Sequence, residues 1–311
     1  MNTQKAYNAA ASITGTQEWH DERRKGIGGS DCAAALGLSK FKTPYQLYQE
    51  KIGESAPEDE SWEMMRGKAM EPALRQHYAN KTGREVIVPK GALVHPKYPF
   101  MRYNPDGLSN DNIRLQEFKT ATYSKEWGEV GSDEIPQEYL LQVQHGMIVC
   151  QRQVADVSVS VGGNKPKYFE VEADKELQQM IIDQEAAFWD LVQARSAPPP
   201  SNNDDVAKMF NKVNGQSIVA DAETLEALYR LRMVRESIKN MEADKEGYEV
   251  IIKAFMGEYE VLVDEGMTPL VTWKQQKGAT RIDSDRLKSE QPVIAAQYSK
   301  TGDPLRRLLL K

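Results

Sequence analysis

The chain has 311 residues, 40% of them hydrophobic and 28% charged, and a formal net charge of −6. That is long and apolar enough for two domains with real cores, yet no apolar run approaches the roughly 18 residues of a membrane span, so no membrane partner is expected. Its two cysteines, Cys32 and Cys150, exclude a disulfide framework and cannot supply the four thiolates that most iron–sulfur clusters need.

The acidic balance counts against a general nucleic-acid binder, which is usually basic. A local basic track and a carboxylate metal site remain compatible with it. Met1 to Tyr7 lacks the apolar stretch of a secretory leader. A cytoplasmic location is the expectation.

Met1 to Thr16 shows no periodicity. Trp19 to Gly26 leads into Ile27-Gly-Gly-Ser-Asp-Cys-Ala-Ala-Ala-Leu-Gly37, where Gly28-Gly29 gives a turn and Ser30 or Asp31 caps a short Ala-rich helix. The N-terminus of that helix beside Arg23, Arg24 and Lys25 makes either an anion site or a solvated basic turn. No strand precedes the glycines and no Gly-Lys-Ser/Thr closes them, so ATP is not implied. A short helix is expected at Tyr45 to Lys51, then the acidic loop Glu54 to Glu60 and a longer helix from Trp62 to Asn80. Pro72 removes a backbone donor inside it and should kink it, which could aim Glu71 inward. An exposed helical glutamate is the alternative.

Strands are expected at Glu85–Val88, Ala92–Val94 and Phe100–Tyr103, punctuated by Pro89, Pro96 and Pro99. Asn104 to Thr120 reads as a hairpin whose turn formers bring Asp106 close to Glu117. Strand alternation points Glu117 and Lys119 to one side and Phe118 to the other. Two carboxylates and an ammonium converging on one point suit a divalent metal and a phosphate, or a surface salt-bridge cluster. A helix opening at Pro136 places Tyr139, Gln142 and Gly146 on one face. Strands at Val154–Val161 and Tyr168–Val171 and an amphipathic helix at Asp174–Gln193 complete an α/β or α+β domain with a central mixed sheet.

Three prolines and small polar residues mark 196–206 as a semi-rigid linker between a domain at 1–195 and a region at 207–311. Beyond it, apolar residues from Leu231 to Phe255 keep three- and four-residue spacing, interrupted by Lys245. This predicts a long amphipathic helix or coiled-coil arm, whose stripe serves core packing or a subunit contact. A β-ribbon is expected from Tyr259–Val263 and Leu270–Gln276. The tail is basic (Lys274, Lys277, Arg281, Arg306, Arg307, Lys311) and reads as a solvated face or a DNA contact.

The order of motifs carries more than any one of them. Arg and Gly-Gly-Ser-Asp come first, then Gly67-x-x-x-Glu71-Pro72, Pro105-Asp-Gly107, Glu117-x-Lys119-Thr120 and Tyr139-x-x-Gln142-x-Gln144. In that order, across Trp19 to Leu191, the sequence resembles the PD-(D/E)XK nuclease superfamily, and within it the YqaJ-type viral recombinases and phage lambda exonuclease. The resemblance implies a restriction-endonuclease-like core with helices flanking a mixed sheet. It also implies a metal-dependent 5′-to-3′ exonuclease acting on linear double-stranded DNA, leaving 3′ overhangs for phage-type recombination by strand annealing. Carried over, Asp106, Glu117 and the backbone carbonyl of Phe118 would hold the metal, with Glu71 at the same site directly or through water. Lys119 would be the catalytic lysine, and Tyr139 and Gln142 would complete the active site. Arg23 or Arg24, with Ser30, would lie near the 5′-phosphate, and Asn104 stands where the family has a serine.

Mg²⁺, with Mn²⁺ as a substitute, is the implied cofactor. The implied partners are DNA ends, further copies of the chain in a trimeric ring, and a phage-type single-strand annealing protein. An endonuclease of the same superfamily and a catalytically silent DNA-binding scaffold are the alternatives. Intact Glu71, Asp106, Glu117 and Lys119 count against the scaffold.

Overall fold

Short helices open the chain in the computed structural model, which describes residues 17–55, 61–300, 302 and 306–310. The expected lead-in before Gln17, most of the acidic loop before Ser61 and the basic residue Lys311 lie outside the described residues. The chain divides into two units, Met1–Phe210 and Asn211–Lys311.

In the first unit, helix α1 (Gln17–Arg24) is followed by a 3-10 turn at Gly29–Asp31 and the four-residue helix α2 (Cys32–Ala35). Helix α3 (Pro44–Ile52) has a reciprocal cap. Thr43 Oγ1 accepts from Gln46 N at 3.1 Å, and Gln46 Oε1 accepts from Thr43 N at 2.9 Å. Helix α4 (Trp62–Thr82) is capped by Ser61 and has Pro72 inside it. Gly53 and Gly83 end α3 and α4 at φ of 80° and 68°, a conformation that favours glycine.

Strands β1 (Leu93–Val94) and β2 (Arg102–Tyr103) form a small antiparallel pair. The hairpin follows as β3 (Gly107–Leu108) and β4 (Arg114–Ala121). After α5 (Gln137–Cys150) come β5 (Val154–Val161), β6 (Lys167–Glu172) and α6 (Lys175–Ala194). The sheet order is β3-β4-β5-β6, with β4 and β5 parallel and both outer pairs antiparallel. The fold is therefore mixed α/β, a central mixed sheet flanked by helices. Parallel neighbours need a long crossover, and α5 supplies it.

The strand expected at Glu85–Val88 does not form. Only Ile87 pairs, exchanging two 2.9 Å backbone hydrogen bonds with Leu108. Its partner edge, β3, is two residues long and offers no ladder to extend.

Strand β5 sorts its side chains by parity. Ala155, Val157 and Val159 join Leu115 and the α5 residues Leu141, Val143 and Met147 in the main core. Asp156, Ser158 and Ser160 lie on the opposite, α4-covered face, where Leu74, Tyr78 and Phe118 cluster. A further cluster joins α2 and α3 to the end of α6 through Leu47, Tyr48, Phe188 and Val192.

Helix α7 (Asn203–Met209) begins inside the 196–206 segment. Asp205 is fully buried and accepts from Thr43 Oγ1 and Ser201 N, both at 3.0 Å, which fastens α7 to the start of α3.

The second unit contains the 35-residue helix α8 (Ala222–Met256), the ribbon β7 (Val261–Val263) and β8 (Pro269–Thr272), and two short helices. These are α9 (Ser284–Glu290) and α10 (Pro292–Gln297), which occupy part of the stretch read from sequence as a basic tail. No helix among the described residues is long and apolar enough to cross a membrane.

Candidate active site

The face of β4 that meets α5 should be apolar, because its register neighbours Ala155, Val157 and Val159 are all buried. Leu115 obeys that rule. Glu117 and Lys119 do not, and Glu117 is only 2% exposed. An ionised carboxylate so placed needs charged or hydrogen-bonding partners, because its burial alone is strongly unfavourable.

Three donors meet Glu117. Its Oε1 accepts from Lys119 Nζ at 2.6 Å and from Gln142 Nε2 at 2.7 Å, and its Oε2 accepts from Tyr103 Oη at 2.5 Å. A carboxylate has about four acceptor positions, so one remains, on Oε2. Burial would lower the pKa of Lys119, but Glu117 and Asp106 outweigh it and raise it. The side chain therefore stays an ammonium.

Asp106 approaches from the turn before β3 and accepts from Phe118 N at 2.8 Å through Oδ2. Burial first, and then the Glu117 carboxylate, push its pKa well above the ordinary value; Glu71 adds to the push and Lys119 opposes it. Two acids, one buried and one part-buried, thus share one ammonium. Glu71 is half-buried on α4 and ion-paired with Arg75 one turn on. The Tyr139 ring lies 5.3 Å from Lys119 Nζ and 5.6 Å from the Trp127 ring.

Tyr103 is the site residue that sequence reasoning missed. Its phenol occupies a slot made by two glycines distant in sequence. A Cβ on Gly146 would come within 2.6 Å of the ring, and one on Gly29 would come closer still and lie 3.2 Å from Gln142. Glycine inside a helix such as α5 costs about 1 kcal/mol relative to alanine, so the slot is held at the helix's expense. Burial, then Glu117, hold the phenol pKa well above its ordinary value, leaving it a proton donor. The signal available in the sequence was a glycine in the middle of a helix.

The glycine turn abuts this site, but not as an anion cradle. Asp31 fills that place itself: it accepts from Gly28 N at 3.1 Å, from Arg23 at 2.8 Å and from the fully buried Lys51 at 2.7 Å. To the two readings open for this turn, an anion site or a solvated basic turn, the structure adds a third feature, a buried ion cluster at Asp31, and α2 is too short to offer a terminus of its own. Arg23 also lies 3.6 Å from Glu50, Arg24 pairs with Asp21, and Ser30 and Asn104 are exposed.

Behind the site, His145 Nε2 donates to Arg102 O at 2.9 Å and Nδ1 meets Glu185 Oε1 at 2.7 Å. This joins α5 and α6 to β2, the strand that carries Tyr103. Cys32 lies close to both, its sulfur within 4.8 Å of their ligand atoms, but the histidine's two nitrogens are already engaged.

Comparison with known proteins decides the family. Residues 18–153 match the YqaJ-like viral recombinase domain. Over 302 residues the chain is 31% identical to the uncharacterized protein YqaJ of Bacillus subtilis (strain 168), covering 91% of this chain and 90% of that one. The chain belongs to the YqaJ-like viral recombinase family. Among solved structures, this YqaJ-family chain is similar to an alkaline exonuclease (LHK-Exo) from Laribacter hongkongensis, at 24% identity and a TM-score of 0.49, over 58% of this chain and 94% of that one. It is also similar to a phage-related exonuclease from Haemophilus somnus 129PT, at 10% identity and a TM-score of 0.41, over 55% and 96% of the two chains.

Proposed function

We propose that this protein is a divalent-metal-dependent exonuclease that degrades one strand of linear duplex DNA from its 5′ end, leaving 3′ overhangs for strand annealing. The observation that carries the reading is the buried Glu117 carboxylate, ion-paired with Lys119 on a sheet face that is otherwise apolar, with the part-buried Asp106 close enough for both charges to act on it. Such a cluster weakens a core and is explained by chemistry.

Asp106, Glu117 and Glu71 offer only hard oxygen donors, a set suited to Mg²⁺ or Mn²⁺, and the Phe118 carbonyl is a further oxygen donor on the same strand. A cation held there would lower the pKa of an attacking water and polarise the scissile phosphate. Lys119 keeps its proton and neutralises charge developing on the phosphate oxygens. Gln142 and Tyr103 fix the Glu117 carboxylate, and Tyr139 limits where the Lys119 ammonium can go. Arg23, oriented by Asp31, would contact a 5′-phosphate together with Ser30 and Asn104, with Arg24 as the neighbouring cation. The family membership supports a DNA substrate, a ring of three copies and a single-strand annealing partner as parts of the same reading.

The test is digestion of linear duplex with Mg²⁺ titrated in. Lys119→Ala should abolish cleavage while DNA binding persists, and an unchanged cleavage rate would refute the site. Ends bearing a 5′-phosphate should be digested faster than 5′-hydroxyl ends; equal rates would remove Arg23 and Ser30 from the proposal.

A further inference from the structure

Helix α8 carries a heptad seam that the other described residues of its unit leave open. Leu231, Ile238, Lys245 and Ile252 repeat every seven residues, and so do Val234, Met241, Tyr248 and Phe255, three positions later in each heptad. The apolar members of the seam from Val234 onward are 36% exposed at Ile252 and up to 77% exposed at Phe255. A stripe of this spacing over more than three heptads, about 37 Å of helix, is the pattern of a coiled-coil surface.

We propose that α8 pairs with α8 of a second copy in antiparallel orientation. This inference stands apart from the nuclease reading, because it uses only the second unit.

Charge selects the orientation. In a parallel pair, Lys245 would face Lys245 of the second copy inside the seam. The flanking positions would set Arg230 against Arg235 and Asp244 against Glu249, and like charges oppose pairing. Turning one helix round removes these clashes. Leu231 then meets Phe255, Ile238 meets Tyr248, Lys245 meets Met241 and Ile252 meets Val234, so every seam position is used in one register. Arg235 faces Glu249 of the second copy, twice by symmetry. Glu242 and Asp244 of both copies come together near the two-fold axis, where the two Lys245 ammoniums also lie. Within one chain Lys245 Nζ is already 3.6 Å from Glu249 and remains 75% exposed, so its charge is available for that acidic neighbourhood.

The full-length protein provides the test, since Cys32 and Cys150 are both buried. Val234→Cys and Ile252→Cys variants are purified separately, then treated with a short bis-maleimide alone and as a mixture. Antiparallel pairing predicts covalent dimers in the mixture at many times the yield of either variant alone. Dimers from each variant alone would mean parallel pairing and would overturn the proposal, as would no intermolecular product. Light scattering should give an even number of chains, six where the nuclease units also close a ring of three, halved by Ile238→Glu, which alters a half-exposed side chain; an odd number for the unaltered protein would overturn it. Arg235→Glu should weaken association about tenfold, and Arg235→Glu with Glu249→Arg should restore it. Failure of the exchange to restore association would also count against the antiparallel register.

Discussion

Tyr103→Phe isolates one hydrogen bond with little change in shape. The phenol ring fills a slot bounded by Gly29 and Gly146, so phenylalanine keeps the packing and removes only the oxygen that lies 2.5 Å from Glu117 Oε2. A hydrogen bond to a charged group contributes about 1.5–3 kcal/mol. Both residues are buried here, so the variant should lose about that much stability in urea unfolding without metal. Losing a group that orients a metal-binding carboxylate typically weakens metal binding by about 10- to 100-fold. Calorimetric titration with Mn²⁺ should show that loss, and higher metal concentrations should recover part of the activity. An unchanged unfolding midpoint with unchanged Mn²⁺ affinity would refute the role given to this hydroxyl. If Glu117→Gln also left Mn²⁺ binding intact, the metal site itself would be wrong.

Asp106→Asn should stabilise the metal-free protein at neutral pH while abolishing cleavage. The folded pKa of Asp106 is raised, so its ionisation opposes folding above its ordinary value of 3.8, and the penalty fades on acidification. A thermal midpoint that is unchanged or lower would contradict this. Lys51→Met should cost about 3–5 kcal/mol, the cost of breaking a buried pair by removing one partner, read from urea unfolding against the wild type. Burial would raise the pKa of Asp31, but Arg23 and Lys51 outweigh it and hold the carboxyl well below the usual range. Its contribution to stability is therefore present above pH 3.8 and lost as pH falls further, and an acid limb that is the same in Asp31→Asn would exclude it. A chain ending after Phe210 should fold by circular dichroism. One ending at Arg195 should be markedly less stable, because it removes Asp205 and its bonds to Thr43 and Ser201; equal stability would refute that anchor.

Parts of this molecule are legible in its sequence because the relevant contacts are short in sequence or strongly periodic. The parity of Glu117 and Lys119 follows from strand geometry, and the 2.6 Å ion pair is what two side chains at i and i+2 on one strand face can form. Helix α8 follows from apolar spacing, and α3 from Leu47 and Tyr48 with Gly53 at its end. What is not legible depends on distant partners. Tyr103 reaches Glu117 only because Gly29 and Gly146, distant from each other in sequence, leave room for its ring. Asp31 reads as a helix cap because its partners Arg23 and Lys51 act through tertiary structure. Glu85–Val88 has strand composition but no neighbouring strand long enough to pair with, and composition cannot supply one.

Helix α5 explains why core and chemistry share one face. Because β4 and β5 are parallel, the chain must cross over between them, and α5 packs on the side where Leu115, Val157 and Val159 point. Any inward charge on β4 therefore lies beneath α5. Gln142 is on its second turn, near the level of Glu117, and one turn later His145 fastens the same helix to Glu185 and to the backbone of Arg102. That last bond reaches β2 next to Tyr103. The donor from α5 and the donor from β2 are thus held relative to each other by a buried residue whose own hydrogen bonds go to Glu185 and Arg102. The rigidity of the acid cluster therefore depends on His145 and Glu185 as well as on the residues that contact it.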